Sequence, residues 1–274
     1  MHPVLFKIGW FEVHSYGLLL MLSFLLGIYI AVRRAKKAGI NPNHIVDISI
    51  IIIISALVGA RLMYVAFHLD EFRGHWIDMI NPIQGDGTIG IAGLVLLGGI
   101  ILAILSSFVY LKYKKLPVLS VFNVMIPSVA LGLVIVRIGC FLHGCCFGIV
   151  CTQSWGVTFP YDSPAGFIFP DIPIHPTQLY ASIGGAVIFV LLLLSEKVQF
   201  FKDKTFFTFL ILYGISRFVV DIFRYYEESM ILLHMNIFNV TLNQVICVAL
   251  IIAGISAIVY ISSKKTEQIT KEIV

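Results

Sequence analysis

Seven apolar runs divide the chain, each long enough to cross about 30 Å of hydrocarbon as an α-helix. They extend from Tyr16 to Val32, Ile45 to Phe67, Thr88 to Leu111, Val118 to Val136, Leu179 to Leu194, Phe206 to Phe223 and Gln244 to Ile261. No long polar block separates them, so the pattern predicts an all-α integral membrane protein with seven transmembrane helices. Residues 1–274 read as a single polytopic domain carrying a loop or head segment at about 137–178. That segment holds Trp155, Phe159, Tyr161, Phe167 and Phe169 among several prolines, and a long aromatic loop usually packs back and carries function. The segment from Asp70 to Gly87 contains Trp76 and a second Gly-rich turn, "QGDGTIG".

Composition agrees with the pattern. The 274 residues are 59% hydrophobic and 12% charged, with a mean hydropathy of +0.96, whereas soluble domains are about 25% charged. The first run lacks a short apolar core followed by a small-residue cleavage site, so no cleaved signal peptide is expected. The net charge of +4 is no sign of nucleic acid, because the basic residues mark topology. Arg33, Arg34, Lys36 and Lys37 follow the first span, and Lys112, Lys114 and Lys115 follow the third. Lys197, Lys202 and Lys204 follow the fifth, and Lys264, Lys265 and Lys271 the seventh. Only Lys7 and Arg73 lie clear of the membrane on the other side. The positive-inside rule thus places the N-terminus outside and the C-terminus in the cytoplasm.

Charges inside the spans point to chemistry. An arginine or aspartate at mid-bilayer costs about 2.5–3.5 kcal/mol or more on insertion scales, so each should face a cavity or a partner. In "YGISRFVVDIFR", Tyr213, Arg217, Asp221 and Arg224 fall on one helical stripe, and Arg217 can pair with Asp221 one turn away. A structural salt bridge would need one arginine, yet Arg61, Arg137, Arg217 and Arg224 all lie in or beside spans. Several guanidiniums against one carboxylate predict an electropositive cavity, and guanidinium forks match phosphate oxygens. In a membrane the abundant phosphate ester is a phospholipid headgroup. Tyr16, in "HSYGLL", and His175, Gln178 and Tyr180, in "IHPTQLY", fit such a cavity. Gly93, Gly98 and Gly99 in the third span would let backbones approach closely. Each of these also has a structural reading.

Cys140, Cys145, Cys146 and Cys151 are spaced C-x4-C-C-x4-C, and Cys247 stands apart in the last span. That spacing is a poor zinc signature, though His143 could add a ligand. On the exterior side a disulfide to Cys140 or Cys151, or a small-residue role, is the reading carried forward. A zinc site and a catalytic thiol stand behind it, and no metal site is assigned.

The motifs "SYGLLL", "GARLMYV", "GLVLLGG", "RIGCFLHGCCFG", "HPTQLY", "YGISRFVVDIFR" and "TLNQV", in this order, resemble the prolipoprotein diacylglyceryl transferase family over nearly the whole chain. The resemblance implies transfer of the diacylglyceryl group of phosphatidylglycerol to the lipobox cysteine of an exported preprolipoprotein, with release of glycerol phosphate. It implies a monomer in the bacterial cytoplasmic membrane, an active site opening toward the exterior face, no cofactor and no nucleic acid. Arg137 and Arg217 match the family's two essential arginines, Tyr16 its first-span tyrosine and Arg61 its second-span arginine. Gly139, Gly144 and Gly148 flank Arg137, and Tyr213 precedes Arg217 by one turn.

The chain also departs from the family pattern. Asp221 stands in place of glutamate, and Leu97 in place of a histidine proposed to assist catalysis. Cys140, His143 and Cys145 replace asparagine, asparagine and glutamate. Leucine handles no protons, so His143 or His175 is a candidate substitute, imidazole titrating near neutral pH. The resemblance thus implies catalytic roles for Arg137, Arg217, Tyr16, Asp221 and His143. Substrate contacts are expected from Arg61, Tyr213, Gly98, Gly99, Gly139, Gly148, His175, Gln178 and Arg224. Two other readings stay open: a paralogue using a different exterior acceptor, and a non-catalytic phospholipid-binding or translocating protein.

Overall fold

A computed structural model describes residues 4–8, 11–72, 95–227, 231–234 and 239–273. Trp76, "QGDGTIG", Arg73 and Gly93 lie outside the described residues. The chain begins with a hairpin of β1 (Val4–Ile8) and β2 (Phe11–His14), in which Val4 faces His14. Helices α1 (Ser15–Lys37), α2 (Pro42–Phe67), α3 (Leu96–Tyr113) and α4 (Val118–His143) follow. The short α5 (Pro164–Ile168) lies in the long loop before α6 (Thr177–Ser195) and α7 (Thr205–Ile222). A second hairpin, β3 (Ile231–His234) with β4 (Asn239–Thr241), leads into α8 (Leu242–Ile273).

Among the described residues, seven helices are long and apolar enough to span a membrane. They coincide with the seven apolar runs, although the first seven residues of the third run, 88–94, lie outside the described residues. One boundary differs in a way that matters. The loop expected to open at Arg137 opens at Gly144, because α4 continues to His143. Ile138, Phe141 and Leu142 keep the segment apolar. A Cβ at Gly139 would come 3.4 Å from Leu19 Cβ and from Tyr16 Cα, so α1 packs directly on this last stretch of α4. Arg137 is therefore a helix residue, held by the regular backbone of α4.

The chain forms two compact units, Met1–Ala31 with Phe122–Val274, and Val32–Val121. In the Val32–Val121 unit, α2 and α3 meet through glycine. A Cβ on Gly98 or Gly59 would run into the other's carbonyl, and one on Gly99 would lie 2.8 Å from the Ala56 carbonyl oxygen. Such close backbone approach is how helices associate in lipid, where apolar burial offers no drive. Ser106 Oγ donates to Ser55 Oγ at 2.9 Å across the same seam. Packing thus accounts for Gly98 and Gly99. Leu97 beside them is about half exposed.

In the other unit, α4, α6 and α7 enclose a core of Ile126, Ala130, Ile188, Leu192 and Phe209. Two devices fix their mutual placement. At one end, Asn123 of α4 accepts from the Phe206 N–H at 2.8 Å and donates to the Asp203 carbonyl at 2.6 Å, capping α7 from outside. Further along, Ser182 of α6 donates to the Val134 carbonyl of α4 at 3.0 Å, where Gly185 brings the helices close. The next inward-facing turn of α4 carries Arg137. Helices α7 and α8 close on each other at Gly214 and Gly254. Cys247, expected to stand apart, is buried in that seam: a Cβ on Gly214 would lie 2.9 Å from its carbonyl oxygen.

Candidate functional site

The site is best built from α7. Arg217 and Asp221 are four residues apart, and the i,i+4 spacing brings Arg217 Nη2 within 3.0 Å of Asp221 Oδ1. Asp221 has no exposed side-chain surface, and burying a carboxylate requires that its lone pairs be used. Tyr226 donates to Oδ1 at 2.5 Å, and Thr241 donates to Oδ2 at 2.7 Å. Tyr226 in turn accepts from Arg217 Nη2 at 3.0 Å and from Asn243 Nδ2 at 2.7 Å. Gln244 completes the frame by accepting the Thr241 backbone N–H at 3.0 Å. The "TLNQ" motif thus fastens the start of α8 to the acid of α7, and the acid orients Arg217. Burial, foremost, raises the Tyr226 phenol, so it remains a donor across the neutral range. Sequence reasoning missed Tyr226 and gave Thr241 no role. Both lie across a turn or a hairpin from Asp221, and the one signal is three polar residues, Thr241, Asn243 and Gln244, opening an apolar helix.

Arg217 and Arg137 line one cavity together with Tyr213, Ser216 and Gly185. Its free space of about 20 Å³ is roughly that of one water molecule. A phosphate group therefore enters only as these side chains move apart. Tyr213 stacks on Phe209 at 5.5 Å and shapes the apolar wall. Arg137 lies close enough to Cys146 for their charges to interact, so the cavity and the loop beyond α4 share one electrostatic environment.

That loop turns sharply. Gly144 has φ +80°, which suits glycine, and Cys146 has φ +59°, in the left-handed region. A non-glycine residue there costs about 1–3 kcal/mol and persists only where its surroundings dictate it. Here they do: Thr177 Oγ1 donates to the Cys146 carbonyl at 2.8 Å, and Gln178 Nε2 to the Cys145 carbonyl at 2.7 Å. Gln178, expected to touch substrate, is 1% exposed and holds this turn. Its Oε1 has no hydrogen-bond partner among the described residues.

All five cysteines are free thiols, so of the two readings carried forward for them the disulfide is not formed here. Instead the sulfurs of Cys140, Cys145 and Cys146 lie within 4.8 Å of one another. Cys151 is buried against Gly156, apart from this trio. Hydrogen bonds from the Cys140 and Cys145 thiols pull Cys146 well below the usual thiol range, aided by Arg224 and Arg137 against the effect of burial. The same hydrogen bonds, then burial, push Cys145 up.

Downstream, the loop forms a small core of Phe147, Phe159, Ala165 and Ile174. Its backbone joins two other segments: Gly148 N donates to the His175 carbonyl at 3.1 Å, and Ile149 N to the Phe223 carbonyl at 2.9 Å. A Cβ on Gly148 would sit 2.6 Å from both the His175 and Phe223 carbonyl oxygens. Gly148→Ala is therefore expected to destabilise the chain by about 1–3 kcal/mol, as overpacking does. A thermal melt in detergent, against wild type, checks this.

Arg224 lies beyond the end of α7 instead of on its stripe, pairing with Gly148 across an isolated bridge and stacking 5.2 Å over Tyr226. Tyr16, at the start of α1, lies beside His143 at the end of α4, ring centroids 6.4 Å apart. His175 belongs to a separate aromatic group. Its Nδ1 is 3.1 Å from Tyr180 Oη, which accepts from Trp155 at 3.0 Å, and Phe223 lies 5.0 Å away. Burial pulls the His175 imidazole below its ordinary value. Arg61 is in the other unit, where its guanidinium lies 5.6 Å over Tyr64 and 5.3 Å over Phe72.

The arrangement offers two clustered guanidiniums over an apolar-walled cavity, suited to a phosphate ester with apolar chains. Comparison with known proteins agrees. The model of the family "Prolipoprotein diacylglyceryl transferase" matches residues 3–260. The chain is 34% identical over 225 residues to a phosphatidylglycerol–prolipoprotein diacylglyceryl transferase of Clostridium tetani, covering 82% of this chain and 86% of that one. It is 33% identical over 261 residues to the protein of that name from Finegoldia magna, covering 93% and 94%. With the protein of that name from Clostridioides difficile it shares 30% identity over 272 residues, covering 99% and 100%. The chain belongs to the prolipoprotein diacylglyceryl transferase family.

Proposed function

We propose that this diacylglyceryl transferase takes phosphatidylglycerol and moves its diacylglyceryl group to the lipobox cysteine thiol of an exported prolipoprotein, releasing glycerol phosphate. The observation that carries the assignment is the cavity shared by Arg137 and Arg217. The acceptor sulfur attacks a glycerol carbon of the lipid while negative charge grows on the departing phosphate oxygen. Fixed guanidiniums aimed at that oxygen lower the barrier, since charge stabilisation in a low-dielectric site is usually the largest catalytic term. Asp221 and Tyr226 contribute by positioning Arg217, not by meeting substrate. Tyr213 and Ser216 line the headgroup space, and Tyr16 and Arg224 are assigned to the lipid as it enters, by the motifs that carry them. The basic residues after the odd-numbered spans favour a mouth open to the exterior face of the cytoplasmic membrane. Both arginines come from one chain, so a monomer suffices.

The test is purified protein in vesicles with phosphatidylglycerol and a lipobox peptide. Glycerol phosphate release matched one for one by peptide thioether is the expected result. Headgroup release without peptide modification would favour another acceptor, and lipid binding without release would overturn catalysis. His143, beside Tyr16, is proposed to accept the acceptor thiol's proton. His143→Ala should then lower kcat by about 100-fold, the ordinary worth of a positioned acid–base group. Undiminished transfer in the same vesicles would remove His143 from that role.

A further inference from the structure

We propose that Cys140, Cys145 and Cys146 form a tri-thiolate site for one soft metal cation, with an open fourth position that takes the acceptor thiol. The second part rests on the function proposed above; the first does not. Three sulfurs around a common zinc-like centre at about 2.3 Å are about 3.8 Å apart. The three sulfurs lie within 4.8 Å of one another, so each moves by only a fraction of an ångström to reach that arrangement. They come from two places, Cys140 from the last turn of α4 and its partners from the left-handed turn that follows. Thr177 and Gln178 fasten that turn from a third element, through the carbonyls of Cys146 and Cys145. Three thiolates around a divalent ion carry one net negative charge, and around a monovalent ion two. Arg137 and Arg224, the cations facing Cys146, balance either. Cys145 and Cys146 are partly exposed while Cys140 is buried, so the open side faces outward from the turn. Three protein ligands with a vacant fourth place is the pattern of a catalytic metal, not a structural one. Thiolate donors select zinc or copper(I).

Such a site supplies what thioether formation needs, a thiolate at neutral pH. Bound to the cation, whose charge lowers a coordinated thiol's pKa, the acceptor thiol would pass its proton to His143, the base proposed above. Its sulfur lone pair then forms the C–S bond at the glycerol carbon. The C–O bond breaks, and its electron pair leaves on the glycerol phosphate oxygen beside Arg137. The thioether, a weaker ligand than a thiolate, dissociates and reopens the fourth position.

The experiment loads detergent-purified, fully reduced chain with zinc, or in a parallel arm with copper(I), and measures metal per chain after gel filtration. One cation per chain is expected, with Cys140, Cys145 and Cys146 protected from alkylation and Cys151 and Cys247 not protected by the metal. Cys145→Ser should lower affinity by about 100-fold or more, since even outer-shell changes cost 10–100-fold. Cys151→Ser and Cys247→Ser should bind as wild type. The alkylation map on wild-type protein keeps the test decisive should a variant misfold. No uptake at micromolar metal, uptake that survives Cys145→Ser in a folded chain, or protection of other cysteines would overturn the site. Removing the metal should abolish peptide lipidation while phosphatidylglycerol binding persists. Full transfer by the metal-free chain would overturn the acceptor position. Metal uptake with no transfer in any state would overturn the proposed acceptor chemistry and leave the tri-thiolate site standing.

Discussion

Arg137→Lys is expected to lower kcat/KM for peptide lipidation by about 100- to 1,000-fold, the loss typical of one oxyanion donor, with the melting temperature nearly unchanged. Lysine keeps the positive charge, so a purely electrostatic role would leave much of the activity. It loses the planar fork, which presents two parallel N–H groups to two phosphate oxygens. Arg137 occupies a helical position on α4 and lines the cavity with Arg217. Lipid titration together with turnover kinetics separates the possibilities. A change in KM alone would mean that the fork binds ground state and transition state equally. A large fall in melting temperature would mean that the arginine chiefly holds the fold at this end of α4.

Asp221→Leu is expected to be more disruptive to the fold than to any single chemical step. The carboxylate is fully buried and joins Arg217, Tyr226 and Thr241. Removing it leaves a guanidinium in an apolar seam without its counter-ion, and breaking a buried pair costs about 3–5 kcal/mol. Asp221→Asn should behave differently. The amide still accepts from one hydroxyl, so the chain should fold, while Arg217 loses its fixed orientation. In the asparagine variant kcat should fall and lipid affinity should change little. Thermal unfolding in detergent, run beside turnover, checks both substitutions. Equal stability of the leucine variant and wild type would show that α8 does not depend on this network.

Much of this was legible along the chain because lipid imposes long uninterrupted patterns. The apolar runs and the Arg217–Asp221 pair follow from helical period alone, and the pair is found at 3.0 Å. The spacing puts Arg224 on the same stripe, because nothing local announces that α7 stops at Ile222. Tyr226 and Thr241 reach Asp221 only after the chain turns and forms the β3–β4 hairpin, whose strands are too short to show a period of two. The cysteines misled for a related reason. Their spacing is a poor zinc signature and leaves a disulfide open, and it is the positive-φ turn at Gly144 and Cys146 that gathers three of them. The motif of Gln178 suggests a substrate contact, and what the motif does not announce is its burial and its bond to the Cys145 carbonyl, by which it supports that turn.

If Arg137 and Arg217 clamp one phosphate together, their contributions cannot be independent. The decisive measurement is kcat/KM for lipidation of a lipobox peptide by wild type, Arg137→Lys, Arg217→Lys and the double variant, all in the same vesicles. A joint clamp predicts that the double variant loses about as much as the worse single variant, because residues acting as a unit are strongly non-additive. Multiplying losses would contradict it, placing the two arginines on different groups of the lipid.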